Sequence, residues 1–153
     1  LGATAWVAEP TVDLEGVVAN VNLDMVGRNA PDTIIGIGQE YSDLEGVVQG
    51  IVTAHPELGL NVILDPEPEE MFFFRSDQLP FIRAGIPAVF FTTGDHEDYH
   101  KVTDEADRID NDKLARVARL GFYLGWAIAT NPVAPEWTTE GWQRVERMLQ
   151  GGM

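Results

Sequence analysis

The chain has 153 residues, of which 44% are apolar and 23% charged, a length and composition typical of one soluble globular domain. Its net charge of −15 argues against nucleic-acid binding, which requires clustered Lys and Arg side chains. The absence of cysteine excludes disulfides and thiolate metal sites, so any metal must be bound by His, Asp or Glu. No apolar segment approaches the roughly 20 residues that span a bilayer, and the first residues lack the layout of a signal peptide.

The first half of the chain is predicted to contain three strands and one long helix. The strands are predicted at residues 17–24, 33–37 and 60–64, and the helix at residues 42–54. Ser42 is a natural N-cap for this helix, and Glu45 three residues later completes a capping box. The helix is expected to end before Pro56, because the residue that precedes a proline disfavours helical geometry.

The second half of the chain is predicted to contain one strongly apolar strand and a long polar loop. After a short helix that Ser76 or Asp77 can cap, residues 87–92 form a near-continuous apolar run, as in a strand buried on both faces. Helices are predicted at residues 112–130 and 138–149. The loop at residues 93–110 carries seven Asp or Glu residues and two of the three histidines. Strands separated by helices predict an α/β layer architecture, in which polar residues that follow strand ends build sites.

Two residues of these loops are candidate metal ligands, although each has a simpler interpretation when it is taken alone. Asp24 follows an apolar strand, so it either forms hydrogen bonds within the next turn or presents its carboxylate to a metal. His100 lies among many carboxylates, so it is either a solvated loop residue or an imidazole ligand that a nearby carboxylate orients. Spacing alone does not decide between these alternatives.

Three motifs taken together are much more specific. They are NLDMVGR at residues 22–28, RSDQLPFIRAGIPAVFF at residues 75–91 and DYHKVTDEADRID at residues 98–110. In this order and spacing they resemble the co-catalytic zinc aminopeptidase family, which includes bacterial leucyl aminopeptidases and, more distantly, glutamate carboxypeptidases. The resemblance covers residues 1–132, the C-terminal half of such a catalytic domain, and leaves residues 133–153 as a C-terminal helical tail. It implies part of a three-layer fold with a central mixed sheet between helices.

The resemblance implies a role for several residues of this chain. Asp24 matches a carboxylate ligand of one zinc ion, and His100 matches the histidine ligand of a second zinc ion. Tyr99 is similar to a tyrosine that donates a hydrogen bond to the oxyanion in some members, and Arg75 matches an arginine that contacts the same region. Both would therefore be catalytic and substrate-binding residues.

Asp104 and Asp77 lie in the same motifs. They are expected to orient the metal ligands and the hydrogen-bond donors without contacting a metal themselves. A neutral donor such as tyrosine stabilises charge that develops only in the transition state.

The chain also departs from the family pattern. The family supplies a bridging carboxylate through a His-x-Asp motif and a general base through a Glu-Glu pair, both of which precede the Asn-x-Asp-Met motif. Only 21 residues precede Asn22, and they contain neither motif. Glu69-Glu70 and His96-x-Asp98 imitate the two motifs but follow Asp24, so they are interpreted as ordinary polar loop sequence. Since the chain also begins at Leu1 and not at Met, we expect a fragment of a longer protein.

The resulting prediction is a fragment of a zinc-dependent aminopeptidase that removes N-terminal residues from peptides and is inactive in isolation. Two alternatives remain open, a glutaminyl-cyclase-like transferase and a non-catalytic peptidase-like binding module. The expected partners are a peptide substrate and either the missing N-terminal half or a second copy, which would cover an open strand edge. The resemblance favours a periplasmic or secreted protein, whereas the residues leave the compartment open.

Overall fold

A mixed β-sheet forms the centre of the molecule in the computed structural model, which describes residues 1–151. Within those residues the sheet has four strands, β1 (Asn20–Leu23), β2 (Thr33–Ile37), β3 (Asn61–Ile63) and β4 (Ala88–Thr92). Their order across the sheet is β1-β4-β2-β3, so β1 and β3 form its two edges. β1 pairs parallel with β4, and β2 pairs parallel with β3, whereas β2 and β4 are antiparallel.

Helices cover both faces of this sheet. The described residues form the α-helices α1 (Gly2–Ala8), α2 (Leu44–Ala54), α3 (Leu79–Arg83), α4 (Asn111–Thr130) and α5 (Thr139–Gly151). On one face, side chains of α2 and α4 pack against alternate strand residues, among them Val89 and Phe91 of β4. On the other face, Ile82 of α3 and Val145 of α5 pack against Ala88 and Phe90. The result is a three-layer α/β architecture.

Strand β4 is buried along its whole length, as the continuous apolar run predicted. Burial of both faces is possible because β4 lies between β1 and β2 in the sheet and between two helical layers. None of the helices within residues 1–151 is both long and apolar enough to cross a membrane.

The α/β prediction is confirmed, and so are the bounds of β2, whereas several finer predictions are wrong. Helix α2 begins at Leu44, two residues later than predicted; Ser42 is extended and pairs with Trp137, and its Oγ accepts a hydrogen bond from the Leu44 N–H at 3.4 Å. Helix α3 follows Gln78, so neither Ser76 nor Asp77 caps it. The other three strands are shorter than predicted, and helix α1 was not predicted at all.

Two glycines in helices provide a matched test of this packing. A Cβ atom at Gly141 would lie 2.0 Å from the backbone oxygen of Tyr41, whereas one at Gly125 would meet nothing within 4 Å. We therefore expect Gly141→Ala to lower the free energy of unfolding by about 2 kcal/mol or more through overpacking. Gly125→Ala should instead raise it by up to about 1 kcal/mol, because alanine favours the helix. Urea denaturation measures both changes, and equal effects at the two positions would contradict the close α5 contact.

Candidate active site

A cavity of about 550 Å³ opens at the ends of the central strands. Since β1 and β4 run parallel, the residues that follow them emerge at the same edge of the sheet. Asp24 follows β1 directly, and Gly94 and Asp95 come just after β4, and all three line the cavity. Its apolar wall includes Ile35, Ile37, Phe72 and Phe90. Of the six site residues predicted from the sequence, five line this cavity, namely Asp24, Arg75, Tyr99, His100 and Asp104.

Asp24 is held by both its backbone and its side chain. Its backbone N–H donates to the carbonyl oxygen of Phe91 at 3.1 Å, which extends the β1–β4 pairing by one residue. Its Oδ2 accepts a hydrogen bond from the Ser76 hydroxyl at 3.1 Å, and Asn22 Nδ2 donates to Ser76 Oγ at 3.1 Å. The hydrogen bond from Ser76 to Oδ2 therefore orients the Asp24 carboxylate, and Ser76 does not donate to Oδ1.

The same hydrogen-bond chain continues from Asn22 to Gln78 and the backbone of Phe73. Asn22 Nδ2 also donates to Gln78 Oε1 at 2.9 Å, and the fully buried Gln78 donates through Nε2 to the Phe73 carbonyl oxygen at 2.8 Å. The sequence interpretation gave Ser76 a capping role and so missed its contact with Asp24. Its position in the second of the three motifs was the available signal.

Tyr99 and His100 lie on the loop that follows β4. Their rings stack with centroids 3.9 Å apart. His100 has φ of 57°, a left-handed conformation that is uncommon for residues other than glycine. The tight local turn brings both side chains to the cavity.

Arg75 lies at the rim of the cavity, with 55% of its side chain exposed. Its Nη1 donates to the Glu70 carbonyl oxygen at 3.2 Å, and its guanidinium lies 5.0 Å from the Phe72 ring centroid. Asp77 is not part of this cavity and instead lines a neighbouring groove beside α1 and α3. The structure thus brings Arg75 to the predicted site and places Asp77 outside it.

Asp104 contacts two other loop residues. Its Oδ1 accepts a hydrogen bond from Arg28 Nη1 at 2.6 Å, and its Oδ2 lies 3.9 Å from Nε2 of His96. The other arm of Arg28 binds Asp98 Oδ2 at 2.6 Å. Sequence reasoning gave Arg28 no role and interpreted its partner Asp98 as ordinary loop polarity, although both lie in the quoted motifs.

The donor types in the cavity suit zinc, whereas their number does not complete a site. Asp24 supplies a carboxylate and His100 an imidazole, and both ligand types bind zinc without thiolates. Among residues 1–151, however, no group of three or more His, Asp or Glu side chains is arranged to hold a metal. A metal bound by Asp24 or His100 would therefore need further donors besides the described His, Asp and Glu side chains.

The two sequences that imitate family motifs do not form a ligand cluster. Glu69 and Glu70 lie exposed in a short 3₁₀ turn. The His96 side chain is 4% exposed and its Nδ1 has no hydrogen-bond partner among residues 1–151, while Asp98 accepts a hydrogen bond from Arg28. Glu69 and Glu70 are thus exposed to solvent, as expected of an acidic loop, whereas the side chains of His96 and Asp98 are buried within their loop.

The fold is shared with solved bacterial aminopeptidases. An aminopeptidase from Aneurinibacillus sp. strain AM-1 matches with a TM-score of 0.62 and 22% identity over 90% of this chain and 31% of that chain. The LapA aminopeptidase of Legionella pneumophila matches with a TM-score of 0.69 and 19% identity over 85% of this chain and 36% of that chain. The chain thus spans about a third of the length of these proteins.

A family model places the chain more specifically. The model of peptidase family M28 matches residues 1–124, and the chain belongs to this family. No curated protein is significantly similar in sequence.

The Arg28–Asp98 ion pair predicts a specific pH dependence of stability. Hydrogen bonds from Arg28 and then Thr103 hold the pKa of Asp98 below its ordinary value of 3.8. A lowered folded-state pKa stabilises the fold above 3.8, and this stabilisation is lost as pH falls through the folded-state value. Asp98→Asn should therefore be less stable at neutral pH and lose less stability than wild type on acidification below about pH 5.

Chemical denaturation at a series of pH values measures this difference. Asp107→Asn, which removes the same charge from an exposed position of the loop, is the matched control and should retain the wild-type acid dependence. An unchanged acid dependence in Asp98→Asn would rule out the ion pair as its source.

Proposed function

We propose that this chain is part of a zinc-dependent aminopeptidase and supplies one wall of its active site. The observation that carries the proposal is the convergence of Asp24, His100, Tyr99 and Arg75 on a single cavity from three separate motifs. The family assignment supports peptide-bond hydrolysis as the reaction class. The apolar wall beside the polar group suits a substrate with an apolar side chain.

In this proposal Asp24 and His100 would each hold one of two zinc ions. When bound, such a pair supplies an activated water and polarises the peptide carbonyl. The Ser76 hydroxyl donates to Oδ2 of Asp24 and so orients the carboxylate, and Oδ1 would remain available to a metal. The stacked Tyr99 ring restricts the rotation of the His100 imidazole.

Tyr99 and Arg75 have the donor groups that the reaction needs. The phenol hydroxyl and the guanidinium are hydrogen-bond donors at neutral pH. Both would stabilise the oxyanion of the tetrahedral transition state, where negative charge develops on the former carbonyl oxygen. Arg75 is exposed, and its contacts with Glu70 and Phe72 hold it at the rim where a substrate enters.

Asp104 and Asp77 would act at a greater distance from the reacting atoms. Asp104 would support His100 through the loop that both residues share, since its partners are Arg28 and His96. Asp77 follows Ser76 and would support the segment that holds Asp24.

The general base and the bridging carboxylate would come from residues outside this chain, so the isolated chain should not hydrolyse peptides. We expect the intact polypeptide that contains these residues to hydrolyse leucyl p-nitroanilide with zinc, and the 153-residue chain to show no turnover. His100→Ala should abolish turnover in the intact polypeptide. Tyr99→Phe should lower kcat by about 100-fold or more, because one oxyanion donor is lost.

His55→Ala is the matched control, because His55 stacks on Tyr123 away from the cavity. Turnover by the isolated chain that survives His100→Ala would overturn the assignment. Cyclisation of peptides with N-terminal Gln, without hydrolysis, would instead identify a transferase.

We further propose that the remainder of an M28 domain covers the open side of this chain. Strand β1 forms a sheet edge, so its outer backbone groups need partners. Beside it, Phe122 and Trp126 of α4 are 64% and 63% exposed, and Leu23 of β1 packs next to Gly121. Two large exposed aromatic residues beside an edge strand form the kind of surface that a protein interface covers.

This surface should make the isolated chain self-associate. The double variant Phe122→Ser/Trp126→Ser should be more nearly monomeric in light scattering, because it loses the apolar face of α4. Val133→Ser removes another exposed apolar side chain as the control and should change nothing. A wild-type chain that is monomeric at all concentrations would argue against a missing partner, and a dimeric intact polypeptide that these substitutions dissociate would identify a second copy.

A further inference from the structure

Arg28 links both sides of the segment that carries Tyr99 and His100. Its Nη2 binds Asp98 Oδ2 at 2.6 Å and its Nη1 binds Asp104 Oδ1 at 2.6 Å. Asp98 immediately precedes Tyr99, and Asp104 lies four residues after His100. The guanidinium therefore closes this segment into a loop whose two ends cannot separate without breaking a charge-assisted hydrogen bond.

Contacts within the segment reinforce this closure. The Thr103 hydroxyl donates to Asp98 Oδ1 at 2.7 Å, so both oxygens of Asp98 are occupied. Backbone hydrogen bonds join Lys101 N to the Asp98 carbonyl oxygen at 2.9 Å and Asp104 N to the Lys101 carbonyl oxygen at 3.2 Å. The side chains of Arg28 and Asp98 are only 12% and 9% exposed, so water competes weakly for this pair.

The backbone around Arg28 is itself anchored. Lys113 of α4 is fully buried and donates through Nζ to the carbonyl oxygens of Arg28 and, at 2.8 Å, of Ala30. Asn29 Nδ2 donates to the carbonyl oxygens of Thr93 and Asp95 at 2.9 Å. Residues 24–30 are thus attached both to α4 and to the start of the loop after β4.

The conformation of His100 requires such support. A left-handed backbone at a residue with a β-carbon is intrinsically unfavourable and persists only when the surroundings enforce it. The hydrogen bonds of Arg28 enclose the residues on either side of His100, so they oppose relaxation of this turn.

We propose that Arg28 is the positioning residue that holds Tyr99 and His100 at a fixed place relative to Asp24. Arg28 follows Asp24 by four residues on the same anchored turn, so one side chain connects the carboxylate segment to the imidazole loop. The importance of Arg28 for catalysis rests on the function proposed above, whereas its effect on the loop conformation can be measured without any activity.

Hydrogen–deuterium exchange of the 153-residue chain tests this role. Arg28→Gln removes both charge-assisted bonds, so the amides of residues 98–104 should exchange about tenfold faster or more. Arg28→Lys keeps the charge but lacks the planar fork, so it should restore protection only partly. If Arg28→Gln does not fold, Asp104→Asn breaks one arm at a half-exposed position and should give a smaller increase in the same amides.

Arg116→Gln is the matched control. Arg116 also ties loop carbonyls to α4, through Leu58, Gly59 and Pro31, but it does not touch the His100 loop. Its loss should accelerate exchange near residues 57–59 and leave residues 98–104 unchanged. Proton NMR gives a second readout, since the ring-current shift of the His100 imidazole from Tyr99 should diminish in Arg28→Gln and persist in Arg116→Gln.

The proposal is overturned if folded Arg28→Gln retains wild-type exchange at residues 98–104. It is also overturned if the faster exchange is uniform over the chain, because that would indicate a general loss of stability. An intact polypeptide without peptidase activity would contradict the proposed function and leave the exchange result intact, so the two failures are distinguishable.

Discussion

The burial of β4 between two helical layers is the constraint on which the rest of the structure depends. Its side chains alternate between two apolar cores, so a shift of one residue would exchange the contents of both. Because β1 pairs in parallel with β4, the C-terminal ends of the two strands lie side by side. Asp24 and the loop that begins at Thr93 consequently leave the sheet side by side, which is the condition for a shared site.

The loop at residues 93–110 is held by a different kind of interaction. It is too polar to be fixed by burial of apolar side chains, and its carboxylates would repel one another without cations. Arg28 neutralises two of these carboxylates, and Asn29 and Lys113 bind carbonyl oxygens of neighbouring segments. The apolar core therefore positions the sheet, and a small number of polar contacts position the loop relative to it.

This division explains how much could be predicted from the sequence. The bounds of β2, the burial of β4 and the long helix α4 follow from local patterns of apolar residues, and all three were predicted. The buried Lys113 was not, because a lysine at the start of a helix has the local pattern of an exposed residue. Ser76 was misread for a related reason, since its partner Asp24 is distant in sequence and a capping role was the nearest local interpretation.

The site shows the same distinction. The three motifs predicted which residues belong to it, and five of the six converge on one cavity, but the motifs do not indicate which cation orders the loop. Arg28 lies in one motif and its two acidic partners in another, so the contact depends on the parallel β1–β4 pairing. Because that pairing brings the two motifs together, the Asp24 carboxylate and the His100 imidazole are brought to one cavity by the chain's own contacts. In the proposed function the remaining metal donors would come from the rest of an M28 domain, and the sheet edge at β1 is where additional strands would pair.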